Sequence, residues 1–424
     1  MLLSALLFSL QLGIVSPADS AVKVHHGLCR KHFLLKLMKS DTYFNPFLDS
    51  VKKYRIQIVY SEINRDKKNQ PHLKTFSFRA GKDYIYPASM VKLPAAIMGM
   101  EKMNSPAFLQ ANIYDSIWVD TTSCVNLSPH YFHLDEPRPC LAQFIKEMML
   151  VSSNTAFNPF YDFLGPDFMH ERMKELGYKN FFTNVRFAPC DNNGNRILNA
   201  IKFFDPQTKA LVYSTSVYES KLVYSYSKKD AVIGWGHWNN NDSLLMDPMD
   251  FRKISHFDIR DEADLLTKII FPSLQKKGRE FHLQDSDYSF LKKYMGMFPR
   301  ESVRPVYDPE KYPDNFLKYF IFGDDTSGKH FPPNIRIFNK VGQSYGFITD
   351  DAYVRDTLNG VEFFLAAVIY TNRDGVLNDG KYEYKTEAIP FMAHLGRLIY
   401  NYELTRKKKF KPEFEKINFN DQLF

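Results

Sequence analysis

Apolar residues recur at helical spacing through residues 30–53 (Phe33, Leu34, Leu37, Phe44, Phe47, Leu48, Val51), which predicts a helix. Tyr54 to Tyr60 alternates and predicts a strand, Lys67-Lys68-Asn69-Gln70-Pro71 a turn, and Leu73 to Phe78 a second strand. Tyr86-Pro87-Ala88 then opens a long apolar helix running through Met103, with proline near its first turn. The same periodicity predicts helices at 139–151, 154–164, 167–176, 261–270 and 286–296. Residues 200–250 are rich in Tyr, Ser and Asn and predict strands and loops bordering a cleft. Residues 334–341, 350–355 and 361–371 are strand-like, and 385–403 reads as a closing helix. No internal repeat is present.

The pattern is helix–strand–strand, an α-rich block, then strands and a helix. The simplest packing joins both chain ends into one antiparallel sheet with flanking helices, an α/β (α+β) lobe of residues 30–85 and 326–405. Residues 86–325 then form an inserted α-helical lobe, and the cleft between the lobes is the expected active site. Residues 406–424, opening with Arg406-Lys407-Lys408-Lys409, predict a solvated basic tail.

Charge changes this picture little. The 55 Lys and Arg against 48 Asp and Glu leave a net charge of +7, spread widely and without a nucleic-acid-binding module. Leu2 to Val15 is an apolar run too short to span a bilayer, followed by the small residues of Ser16–Ala21. This predicts a signal peptide over residues 1–20 and an exported protein, periplasmic or extracellular, although no Lys or Arg precedes the run. No later segment reaches transmembrane length. The four cysteines, Cys29, Cys124, Cys140 and Cys190, allow three pairings if oxidised; Cys124 and Cys140 flank a loop-like stretch, and four free thiols fit equally. Neither a metal motif nor a cofactor motif occurs. His130 and His133 read as loop residues. Trp235, His237 and Trp238 read as core or loop packing before a binding edge.

Candidate chemistry centres on Ser89-Met90-Val91-Lys92. Ser-x-x-K occurs six times, from Ser20, Ser50, Ser89, Ser225, Ser273 and Ser289, but only at Ser89 does it open a helix after a strand pair. Spacing i, i+3 puts Ser89 and Lys92 on one helix face. A desolvated lysine can lose its proton and activate the hydroxyl, and the helix start supplies N–H groups for an oxyanion. Ser152-Ser153-Asn154, between two helical stretches, can add a hydroxyl and an amide. Lys340-Val341-Gly342 follows a strand and precedes Gln343-Ser344-Tyr345, offering a cation and a glycine that admits close approach. A second Lys-x-Gly, Lys276-Lys277-Gly278, lacks the strand. Each triplet is common by chance; three in this order, each on the right kind of element, form a joint signal.

With these residues the chain resembles the penicillin-recognising serine hydrolases, nearest the class A β-lactamases, whose motifs are S-x-x-K, S-D-N and K-T-G. Ser152-Ser153-Asn154 has Ser for the central Asp, and Lys340-Val341-Gly342 has Val for Thr. The resemblance covers roughly residues 30–405 and implies a β-lactamase/transpeptidase-like fold. It implies that Ser89 is acylated, that Lys92 takes its proton, and that Ser152 relays a proton to the leaving nitrogen. It further implies that Asn154 holds the substrate amide, that Lys340 binds a carboxylate, and that the N–H groups of Ser89 and Gln343 form the oxyanion hole beside Gly342. Ser344 or Gln343 is expected to replace the hydroxyl that Val341 lacks. In class A enzymes a loop glutamate in E-x-x-L-N activates the deacylating water. The nearest match, Asn195-Arg196-Ile197-Leu198-Asn199, places an asparagine there, which cannot act as a base. Three readings follow: an exported hydrolase of β-lactams, a D,D-peptidase or transpeptidase-like enzyme acting on peptidoglycan-type substrates, or a ligand-binding relative.

Overall fold

The computed structural model describes residues 32–119, 139–187, 194–224, 226–227, 229–327 and 330–421. The expected signal segment, Cys29, Cys124, Cys190, His130 and His133 lie outside the described residues.

Five strands form the main sheet: β1 (Gln57–Arg65), β2 (Pro71–Phe78), β3 (Ile335–Ser344), β4 (Phe347–Asp356) and β5 (Val361–Tyr370). Their order is β3-β4-β5-β1-β2, antiparallel where registers are formed, so the two chain ends meet at the β5–β1 pair, Gln57 opposite Val368. Both faces are covered, which is why β4 and β5 are buried almost throughout rather than alternating. One face carries Ile58, Tyr60, Ile337, Val341, Ala352, Phe363 and Leu365 beneath helices α1 (Phe33–Lys39), α2 (Asn45–Asp49) and α9 (Ile389–Thr405). The other face, with Phe338, Tyr353 and Phe364, packs on the helical lobe.

That lobe contains α3 (Lys92–Met103), α4 (Leu141–Leu150), α5 (Asn154–Leu164), α6 (Pro166–Glu175), α7 (Ile259–Ile270) and α8 (Asp285–Gly296). Its core is rich in Phe and Met, including Met98, Met100, Phe144, Met148, Phe157 and Phe160. The expected helix over 30–53 is instead α1, a 3-10 turn (Thr42–Phe44) and α2. The apolar periodicity runs through the break, but Asp41 stops the first helix and accepts a hydrogen bond from Tyr43 N (3.0 Å), and Pro46 starts the second. Phe298 and Tyr319–Ile321 pack with α1 and α9, so the chain is back on the α/β lobe before residue 326.

Residues 406–421 differ from the expected solvated tail. Arg406 pairs with Glu403, and the chain then runs back across the sheet. Ile417 and Phe419 pack on the helical core, and Asp421 forms a buried ion pair with Lys146 (2.5 Å). Two apolar anchors and one carboxylate outweigh the hydration of the lysines. Cys140 is a free, buried thiol whose sulfur accepts from Gln143 N (3.4 Å) at the start of α4, so it acts as a helix cap; the expected partner Cys124 lies outside the described residues. Among the described residues no helix is long and apolar enough to cross a membrane, and no group of three or more His, Cys, Asp or Glu could hold a metal.

Candidate active site

Pro87 leads into a 3-10 turn, Ala88–Val91, that feeds α3. Ala88 is held at φ +46°, a left-handed conformation that an L-residue adopts only under constraint, and it turns Ser89 toward the cleft. Ser89 is half-buried, whereas Lys92, one turn on, is fully buried. Between α4 and α5, Ser153 caps α5 by accepting from Ala156 N (3.1 Å). The preceding Ser152 takes φ +55° and presents its carbonyl to the cleft. Lys92 Nζ lies 2.8 Å from Ser89 Oγ, 2.5 Å from Ser152 O, 3.3 Å from Ser152 Oγ and 2.6 Å from Asn154 Oδ1.

Strand β3 closes the other side. Lys340, Gly342 and Ser344 alternate onto the face turned to the helical lobe, and Lys340 Nζ donates to Ser152 Oγ (2.9 Å) and to Val341 O (2.9 Å). Ser152 Oγ therefore bridges the two lysines. A Cβ on Gly342 would stand 2.2 Å from Pro87 O, so only glycine lets the Ser89 turn lie against this strand. Tyr345 and Gly346, at φ +50° and +84°, make a two-residue turn closed by the Ser344–Phe347 pair. In that register the N–H of Gln343 points to the open edge of β3. The Gln343 side chain turns the other way and accepts from Tyr319 OH (2.7 Å), which leaves Ser344 on the lysine-bearing face.

All eight residues singled out from sequence thus lie on the Ser89 turn, the α4–α5 turn or β3, the three segments that border the cleft. Burial, and then the like charge of Lys340, holds the Lys92 amine well below the ordinary lysine range. Burial pushes Lys340 down to about 7, opposed by Asp350 and reinforced by Lys318. Among the described residues neither lysine has a carboxylate ion pair. Asp351, directly across the sheet from Lys340, and Glu262 on α7 are buried carboxyls without hydrogen-bond partners, and burial raises both well above the carboxylate range. Burial thus disfavours the charged form of both carboxyls.

Two features escaped the sequence. Phe187 places its ring 4.8 Å from Lys92 Nζ and is held by Asn158 Oδ1, which accepts from Phe187 N (2.9 Å). The i, i+4 repeat of Asn154 and Asn158 on α5 was the available signal. Lys318, also buried, donates to Asn339 Oδ1 (2.7 Å) and to Met295 O (2.8 Å). Asn339 passes the contact to Asp350 (2.8 Å), so the strap carrying Lys318 and Tyr319 grips β3 on both sides of Lys340. Asn195, the expected stand-in for a loop base, is 5% exposed; its Oδ1 accepts from Arg186 N (2.8 Å) and its carbonyl from Tyr161 OH (3.0 Å). It supports the loop, and neither Ser89 nor Lys92 bonds it. Phe251, just past the 200–250 stretch expected to border the cleft, packs on Tyr86 and Tyr345 at ring distances of 5.2 and 5.3 Å. Trp235 and Trp238 are 48% and 37% exposed and sit on a surface ribbon rather than in the core.

Residues 48–203 match the model of the β-lactamase enzyme family, a stretch that contains Ser89, Lys92, Ser152 and Asn154 and ends before Lys340. No curated protein gives a significant match. Among solved structures, a β-lactamase from Desulfarculus baarsii aligns at 11% identity over 89% of this chain and 98% of its own, with a TM-score of 0.48. One from Burkholderia ambifaria aligns at 15% identity over 88% and 99%, TM-score 0.45. A class A β-lactamase from Mycobacterium abscessus aligns at 12% identity over 88% and 99%, TM-score 0.44. Over residues 48–203, the stretch that carries its first two motifs, the chain is similar to the β-lactamase enzyme family.

Proposed function

We propose that the protein is a serine hydrolase that forms an acyl-enzyme at Ser89 with a β-lactam or a related amide. The observation that carries this reading is the environment of Lys92: a buried amine with no carboxylate partner among the described residues, 2.8 Å from Ser89 Oγ. A neutral amine has two N–H groups and one lone pair. Ser152 O and Asn154 Oδ1 can only accept and take the two N–H groups, which leaves the lone pair for the Ser89 proton. In acylation that proton moves to Lys92, Oγ bonds to the substrate carbonyl carbon, and the C–N bond breaks. Ser152, bridging both lysines, delivers a proton to the departing nitrogen and regains one from Lys92. The N–H groups of Ser89 and Gln343 face the oxyanion, and Lys340, with Ser344 beside it, receives a substrate carboxylate. The apolar run at Leu2–Val15 supports export. No cofactor is required by these steps.

A second reading keeps the acylation and changes the outcome. The side of Lys92 next to the loop is faced by the Phe187 ring, and Asn195 is engaged elsewhere. An acyl-enzyme that deacylates slowly fits a penicillin-binding D,D-peptidase or transpeptidase acting on a peptidoglycan-type peptide. Intact mass after a penicillin pulse separates the two. A transient adduct supports the β-lactamase, a lasting one the peptidase, and no adduct with any β-lactam or acyl ester overturns the proposal.

A further inference from the structure

At the end of the sheet remote from Ser89, the returning C-terminal segment roofs a cavity of about 190 Å³. Its walls are Ile270 and Phe271 from α7, Phe338 and Tyr353 from the sheet, and Phe414 and Ile417 from the roof. Three cations line it, and two are neutralised. Arg65 forms a two-point pair with Glu362 (2.6 and 2.7 Å), and Lys292 pairs with Glu415 (2.6 Å). Arg355 is 7% exposed and, among the described residues, forms no ion pair with a carboxylate. Its Nη1 donates to Glu415 O (2.9 Å), while its Nε is buried without a partner and its Nη2 makes no hydrogen bond among the described residues. The rings of Phe338 and Phe414 lie 5.0 and 6.0 Å from the guanidinium carbon and hold the fork in place. Glu413 also borders the cavity, with its backbone tied to Asn69 and the residue exposed to solvent.

We infer that this cavity is a binding site for a small aromatic or alkyl carboxylate, with Arg355 as its anion anchor. The Nε–Nη2 edge of a guanidinium is the edge that takes a carboxylate with two parallel hydrogen bonds. A buried cation with no carboxylate in hydrogen-bond reach is costly: burial lowers the Arg355 pKa against the opposing charges of Glu415 and Glu362, and a bound anion offsets that cost. The size agrees. An apolar cavity of about 150 Å³ holds benzene, so this one accommodates a ring plus a carboxylate, with the ring against Phe271 and Tyr353. The site shares no residue with the Ser89 cleft and is independent of the function proposed for it.

The test is calorimetric titration of the full chain with benzoate, with toluene as the uncharged ring. The intact protein should bind benzoate at one site, and more tightly than toluene. Arg355→Met should weaken benzoate about tenfold or more. Lys340→Met, which disables the anion site of the cleft, should leave that binding unchanged. If Arg355→Met does not fold, Ile270→Phe, which fills the cavity and spares the arginine, should abolish binding instead. No benzoate binding, equal binding of toluene, or loss confined to Lys340→Met would overturn the assignment.

Discussion

At the scale of single residues the chemistry turns on two lysines whose pKa values burial lowers. Lys92 can accept the Ser89 proton only when unprotonated, so acylation should rise with pH through its depressed pKa and then level off. Lys340 binds a carboxylate only when protonated, and its pKa of about 7 sets a falling limb at higher pH. The pH profile of kcat/KM is therefore expected to be bell-shaped. Lys92→Met should lower the acylation rate by about 10²–10⁴-fold, which stopped-flow mixing with a chromogenic cephalosporin would measure. Lys318 is a positioning residue for Lys340. Removing its like charge in Lys318→Met should raise the Lys340 pKa and shift the falling limb upward, while Lys318→Arg, which keeps the charge, should bring it back. A limb that ignores both substitutions would assign Lys318 to packing alone. Neither effect was legible from sequence: Lys318 lies in a segment with no motif, and its role comes from a chain return that places it against Asn339.

Among the elements, the ones written most clearly in the sequence are those with strong local boundaries. Helix α5 begins and ends where expected because Ser153 caps it and Gly165, at φ +74°, stops it. Strand β3 is longer than its apolar pattern, because Gln343 and Ser344 continue the ladder while serving the cleft instead of the core. The 3-10 turn at Ala88–Val91 was hidden because a helix start and a strained turn share one apolar pattern. The contact between that turn and β3 predicts that Gly342→Ala forces the two apart, costing about 1–3 kcal/mol from overpacking together with most of the acylation rate. Thermal denaturation and adduct formation would report the two losses. On α7, Glu262 is buried without a partner. Its raised folded pKa means that the native state holds a proton that the unfolded state releases above about pH 4.5. Its contribution to stability therefore falls as pH rises from there. Glu262→Met should stabilise the protein at pH 7 by about 1–3 kcal/mol and flatten that decline, as seen in denaturant melts at pH 5 and 8.

Across the whole molecule, the two-lobed plan follows from which parts of the chain are strand-rich. What the sequence concealed is the route of the C-terminal segment, since Ile417, Phe419 and Asp421 are scattered among charged residues and have no period of their own. That segment ties the lobes together through the Lys146–Asp421 pair. Asp421→Ala removes the carboxylate from a fully buried lysine and should cost about 3–5 kcal/mol, read from the denaturant midpoint at constant m-value. The central claim, however, is an acyl-enzyme at Ser89. Intact-protein mass spectrometry over time after addition of a penicillin, with Ser89→Ala alongside, tests it most directly. The account predicts an increase equal to one penicillin on the native chain and none on the variant; an unchanged native mass, or an equal adduct on Ser89→Ala, would contradict it.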